Sequence, residues 1–176
     1  TEDVTVAELA ALCQSEGCPV VYDAGSGAFF PYEEFGLPSG ETLLIEDVAT
    51  GADLVTCSGD KLLGGCQAGI IYGSSAEVAK LRKHPMRRAF RVDKTTLAAL
   101  DEILTAYLRE EGRPAIPTLD QLALGLDDLA AKAKSLLDQL APEAPSGWCG
   151  QVVPGHSSVG GGTFSSTSIE SRLLMW

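Results

Sequence analysis

The sequence has no apolar run near the roughly 18 residues that a membrane-spanning helix requires, so no membrane partner is expected. Its first residues lack the basic-then-apolar pattern of a secretory signal. The five cysteines, Cys13, Cys18, Cys57, Cys66 and Cys149, are odd in number, and their spacing fits no zinc-ligand pattern, so no metal site is expected. Cys57 lies in an apolar run and reads as a small buried hydrophobe. This cysteine usage points to a reducing, cytoplasmic compartment. Positive charge is scarce too. Lys and Arg number 13 against 24 Asp and Glu, and the net charge of −11 excludes a surface that seeks nucleic acid generally. What is present is a 45% apolar chain, enough for a core and too much for disorder. At 176 residues it suits one domain or pieces of two.

Two stretches stand out. Residues 80–94 hold seven basic side chains (Lys80, Arg82, Lys83, Arg87, Arg88, Arg91 and Lys94) against Asp93 alone, a local balance of +6 that leaves −17 for the remainder. One basic patch on an acidic body suggests a specific anion site; the alternative is a solvated face near a helix end. The second stretch runs from Leu54 to Gly73. Apolar Leu54–Cys57 and Ala68–Tyr72 read as buried strands flanking a tight loop with Asp60-Lys61 at its centre. A lysine held between core strands loses hydration, its ammonium becomes easier to deprotonate, and a free amine forms a Schiff base with a carbonyl. Against this stands a plain surface turn whose lysine faces water. Glycines on both sides of the loop suit close approach of a ligand to backbone, and Ser58 offers a hydroxyl to an anion.

In chain order, Thr5 to Glu16 has helical apolar spacing and Gly17 stops it. Pro19–Tyr22 reads as a short buried strand ending in the turn Asp23-Ala-Gly-Ser-Gly27. Pro31 to Pro38 is a loop or single helical turn, Glu41–Ala49 a helix with Gly51 beyond it, and 54–57 the next strand. This alternation predicts an α/β fold with a mainly parallel sheet, whose ligands gather at the carboxyl ends of strands. Asp23 and Lys61 both fall just past strand ends and are expected to face one crevice. Ser75 is expected to cap a helix to Lys83 that His84-Pro85 ends, followed by an extended connector from Arg87 to Val92. Asp93 or Thr95 caps a helix with Leu97, Leu100, Leu104 and Leu108 on one face, and Gly112 follows it. Arg113–Pro117 reads as a linker, Thr118–Gln121 as a capping box, and Leu126–Leu140 as a helix resuming after Gly125. Pro142–Gly147 is loop, Cys149–Val153 a strand and His156–Gly162 a small-residue turn. The apolar end, Glu170–Trp176, carries no terminal signal; the chain is expected to be cut there and to begin mid-domain.

Several of these blocks occur together in one family. Val20-Val-Tyr-Asp-Ala-Gly-Ser-Gly27, SGDKLLGG from Ser58 to Gly65, QAGII from Gln67, Leu81-Arg-Lys-His-Pro85 and RRAFRVDKTTLAALDEIL from Arg87 closely resemble bacterial selenocysteine synthase, L-seryl-tRNA(Sec) selenium transferase. The resemblance covers nearly the whole chain, most strongly from Asp23 to Leu108, and Cys66 stands where the family usually has proline. It implies part of an aspartate-aminotransferase-like (fold type I) pyridoxal-phosphate domain followed by part of a smaller α+β domain. Residues 1–92 would be the second half of the cofactor domain, 93–117 an interdomain helix and linker, and 118–176 an incomplete small domain.

The resemblance also implies roles. Lys61 corresponds to the lysine that bonds the cofactor, pyridoxal 5′-phosphate, and Asp23 to the carboxylate that pairs with its pyridinium nitrogen. Ser58 corresponds to a serine at the cofactor phosphate. Asp60 corresponds to an acid near the reaction centre, although a loop aspartate can also simply cap backbone amides. Arg88 and Arg91 correspond to arginines that bind selenophosphate. The implied reaction turns seryl-tRNA(Sec) into selenocysteinyl-tRNA(Sec) in a cytoplasmic homo-oligomer, with tRNA bound mainly by a region outside these residues. The family's cofactor-phosphate loop and ring-stacking residue also lie outside them. Two other readings are a related pyridoxal-phosphate lyase or ammonia-lyase acting on a small amino acid or amino sugar, and a non-catalytic remnant. The pair Arg88 and Arg91 favours the transferase.

Overall fold

The computed structural model describes residues 4–38, 43–109, 116–160, 164 and 167–176. The first helix, α1 (Val6–Glu16), begins in a capping box: Thr5 Oγ1 accepts from Glu8 N at 3.2 Å, and the Glu8 carboxylate accepts from Thr5 N at 2.9 Å. Gly17, at φ +65°, closes it in the left-handed region, as its position predicts.

A three-stranded sheet follows, in the order β1 (Val21–Gly25), β2 (Leu54–Ser58), β3 (Gly69–Gly73). The β1–β2 pair is parallel, joined by a crossover that contains α2 (Leu44–Ala49). Residues 41 and 42, at the expected start of that helix, lie outside the described residues. The β2–β3 pair is antiparallel. The sheet in this chain is therefore mixed, not mainly parallel as expected. The loop after β2 turns the chain straight back, and a connection without a crossover helix can only deliver an antiparallel neighbour.

Strand β1 starts two residues later than expected and takes in Asp23, which thus lies inside the strand. The cause is non-local. Val20 N donates to Asp53 Oδ2 at 2.7 Å, so regular pairing starts only at Val21, opposite Leu54. Asp23 then pairs with Thr56, and the register slips between Asp23 and Gly25.

The sheet has two unlike faces. Val55 and Cys57 point to the buried one, at 0% and 5% exposure, and the Cys57 thiol is pushed up from its ordinary pKa by that burial, then by Asp23 and Asp47. The other face carries Asp23, Thr56 and Ser58, flanked by Val21 at 60% and Ile71 at 52% exposure. Only β2 is buried as expected; β1 and β3 are edge strands here.

The next helix, α3 (Ser75–Lys83), is capped by Ser74, one residue before the expected cap, through Glu77 N to Ser74 Oγ. Pro85–Arg88 is a single 3-10 turn, so the expected extended connector from Arg87 to Val92 is helical at its first two residues. The His84 ring starts it, Nδ1 accepting from Met86 N at 3.2 Å. Asp93 caps α4 (Lys94–Leu108), Oδ1 accepting from Thr96 N at 2.8 Å. That bond first, among several backbone and side-chain contacts, lowers the Asp93 pKa. Leu97 and Leu108 on the apolar face of α4 are exposed.

Gly112 and residues 113–115 of the expected linker lie outside the described residues. Pro117 opens α5 (Pro117–Leu122), so Thr118 sits inside the helix and the expected capping box does not form. The long α6 (Leu126–Leu140) begins after Gly125, as expected, and packs on an antiparallel hairpin of β4 (Gln151–Ser157) and β5 (Ile169–Met175). Thus β4 runs later than expected and absorbs His156 and Ser157, while Gly161 and Gly162 lie outside the described residues. One buried cluster draws Ala28, Tyr32, Leu37 and Leu62 together with Ile116 and Leu119; Tyr107, Phe164 and Ile169 pack around it. No described helix is long and apolar enough to cross a membrane.

Candidate active site

The loop between β2 and β3 is held from every side. Gly59 N donates to Ala68 O at 2.8 Å, Gly65 N to Gly59 O at 2.8 Å and Gly64 N to Lys61 O at 2.9 Å. Leu62 N donates to Ser26 O at 3.0 Å, which ties the Lys61 turn to the chain leaving β1. Tyr32 Oη donates to Leu62 O at 3.0 Å, and Tyr107 Oη donates to Leu63 O at 3.1 Å. Leu62 and Leu63 are buried at 1% and 0% exposure, so the residues after Lys61 anchor in the core.

The loop glycines serve this packing. A Cβ on Gly59 would lie 2.7 Å from Cys66 O, and one on Gly64, at φ +75°, would lie 2.6 Å from Ile116 Cγ2. Protein atoms occupy the space those missing side chains leave. The expectation that the glycines admit a ligand to the backbone is replaced by close chain-on-chain contact. Cys66 joins the same packing, its Sγ donating to Thr96 O at 3.5 Å.

The predicted site residues divide into two groups. Asp23 and the Lys61 loop are brought together by the β1–β2 pairing and the Ser26–Leu62 bond. Asp23 Oδ1 accepts from Thr56 Oγ1 at 2.8 Å and from Gly25 N at 3.3 Å. Lys61 is half-buried and has no ion-pair partner among the described residues. Ser58 is half-buried at the end of β2, opposite Gly69. Asp60 is exposed, and among the described residues its carboxylate caps no backbone amide. Arg88 and Arg91 form the second group. Both are exposed, Arg88 ends the 3-10 turn, and no hydrogen bond among the described residues ties either to the loop. The chain does turn between them, since Ala89 N and Phe90 N both donate to Met86 O. Sequence reasoning missed Thr56, Tyr32 and Tyr107. For Thr56 the available signal was a polar residue within an apolar strand.

A family model described as L-seryl-tRNA selenium transferase matches residues 1–176. The chain belongs to this family. It is 43% identical over 175 residues to the L-seryl-tRNA(Sec) selenium transferase of Solidesulfovibrio magneticus, covering 99% of this chain and 37% of that one. Against the Geobacter sulfurreducens protein of the same name the identity is 41%, covering 99% and 38%. The chain thus spans a little over a third of these curated transferases. Among solved structures, that of D-glucosaminate-6-phosphate ammonia-lyase is similar in fold, with a TM-score of 0.56 at 16% identity over 98% of this chain and 37% of that one.

Proposed function

We propose that this chain is the lysine-bearing part of a pyridoxal-phosphate-dependent transferase that converts seryl-tRNA(Sec) to selenocysteinyl-tRNA(Sec) with selenophosphate. Family membership supports the reaction class. The observation that carries the site is the placement of Asp23, one carboxylate oxygen committed to Thr56 and Gly25, near the turn of a half-buried Lys61 that has no ion-pair partner among the described residues.

The donor set fits the cofactor. Pyridoxal phosphate needs an amine for its aldehyde, an acid for its ring nitrogen and donors for its phosphate. Lys61, Asp23 and Ser58 supply these in order. When bound, the cofactor supplies an electron sink beside the substrate α-carbon. Lys61 Nζ would hold the cofactor through its aldehyde, and as a free amine would take the proton from the seryl α-carbon. The Asp23 carboxylate keeps the ring nitrogen protonated. The Ser58 hydroxyl donates to the phosphate, and Asp60 lies within the same turn as a second acid. Arg88 and Arg91 hold selenophosphate through their planar guanidinium forks, which match phosphate-like anions. Overall, the β-carbon exchanges its bond to oxygen for one to selenium: the hydroxyl leaves with the α-proton as water, and water cleaves the selenium–phosphorus bond, releasing inorganic phosphate. We assign 1–92 to part of a fold type I cofactor domain, 93–117 to an interdomain helix and linker, and 118–176 to part of a smaller α+β domain. The working enzyme is a cytoplasmic homo-oligomer.

The test uses the complete polypeptide with seryl-tRNA(Sec) and labelled selenophosphate. Label should enter tRNA with the natural sequence and not with Lys61→Ala. Label transfer by Lys61→Ala at the natural rate would overturn the reading.

A further inference from the structure

Asp23 is presented by a neighbour that the proposed chemistry has not yet used. Thr56 sits in the middle of β2, in register with Asp23 and on the same sheet face. Its hydroxyl donates its one proton to Asp23 Oδ1 at 2.8 Å. Gly25 N adds a longer bond to that same oxygen at 3.3 Å. Among the described residues nothing bonds Oδ2. A carboxylate on an exposed strand face would otherwise rotate broadly about its last torsion. Here one oxygen is fastened on two sides, and among the described residues the other is left without a bond. The fold itself does not ask for this hydroxyl. Strand position 56 suits any β-branched residue, and its neighbours Val55 and Cys57 face the opposite, buried side.

We infer that Thr56 is a positioning residue, whose hydroxyl fixes the Asp23 carboxylate so that Oδ2 meets the ring nitrogen of the cofactor. This rests on the reading of Asp23 under the proposed function. The hydroxyl acts only through Asp23, so its loss affects binding only where the ligand has a ring nitrogen for Asp23 to meet.

The experiment uses the complete enzyme, stripped of cofactor, and two probes: pyridoxal phosphate and its 1-deaza analogue, in which carbon replaces the ring nitrogen. Affinity is read by absorbance titration. Thr56→Val should weaken pyridoxal phosphate about tenfold and leave the 1-deaza analogue within about twofold, the loss of one charge-assisted bond felt at one remove. Thr56→Ser should restore natural binding of both. Unchanged 1-deaza binding in Thr56→Val also shows that the variant is folded. Equal weakening of both probes would make Thr56 a structural residue and overturn the inference, as would no weakening of either. Asp23→Asn is the reference. If it discriminates between the probes and Thr56→Val does not, the inference fails while the reading of Asp23 stands. If Asp23→Asn does not discriminate, that reading fails and the inference falls with it.

Discussion

Two tyrosines should determine how firmly the Lys61 turn is held. Tyr107 Oη donates to Leu63 O at 3.1 Å and approaches Leu62 O at 3.5 Å, while Tyr32 Oη donates to Leu62 O at 3.0 Å. Tyr32, Leu62 and Leu63 are at 2%, 1% and 0% exposure, so water does not replace a lost donor. An unmet buried carbonyl costs about 1–3 kcal/mol. Tyr107→Phe strips Leu63 O of its phenol donor and should cost about 2 kcal/mol locally, whereas Tyr32→Phe leaves Leu62 O the longer Tyr107 contact and should cost about 1 kcal/mol. The assay is amide hydrogen exchange in the complete enzyme, read at Gly59, Leu62, Gly64 and Gly65, whose N–H groups bind the loop together. At about 1.4 kcal/mol per factor of ten, Tyr107→Phe should speed exchange there by tenfold or more, with α6 as an unaffected control. Burial pushes the Tyr107 phenol from 10.0 up to about 12. Its folded pKa is raised, so the stabilisation is complete below about 10 and is lost as pH rises through about 12. Loop exchange unchanged in the double variant Tyr32→Phe, Tyr107→Phe would refute this account of the turn.

Three further outcomes are expected. Gly64→Ala puts a Cβ against Ile116 Cγ2 at a positive φ and should destabilise the complete enzyme by about 2 kcal/mol or more, read as a lowered melting temperature; a natural melting curve would contradict the packing role of that glycine. Arg88→Ala or Arg91→Ala should leave cofactor absorbance intact and slow selenium transfer from selenophosphate roughly ten- to a hundredfold, with elimination from seryl-tRNA less affected; equal loss of both half-reactions would assign these arginines to the fold. The 176-residue chain alone should self-associate, since edge strands and Val21, Ile71, Leu97 and Leu108 are exposed; a monodisperse, cooperatively melting monomer by sedimentation and calorimetry would contradict this.

Local signals proved readable where one residue decides one end of an element. Gly17 ends α1, Asp93 caps α4 and Gly125 precedes α6 as their types predict. The apolar run at 54–57 marked β2 and the burial of Cys57. What escaped depended on partners far along the chain. Asp23 lies within β1 because Asp53 captures Val20 N, and no window around Asp23 contains that bond. The direction of β3 follows from how its loop packs, and a run of Ile and Tyr reads alike in either direction. The helical turn at Arg87 and Arg88 is started by the ring of His84, a residue whose type and position before Pro85 signal only a helix stop. The glycines around Lys61 were legible as close-approach positions, but what approaches is Cys66 and Ile116. Family blocks led to Asp23, Ser58, Asp60, Lys61, Arg88 and Arg91, whereas Thr56 and the two tyrosines emerge only from the three-dimensional pairing.

The central claim is that Lys61 carries the cofactor. The direct measurement is borohydride reduction of the complete enzyme in the presence of pyridoxal phosphate, followed by peptide mapping. A single pyridoxyl label on the peptide containing Lys61 is the predicted result. Label on another lysine, or a fully folded enzyme that takes no label, would contradict it.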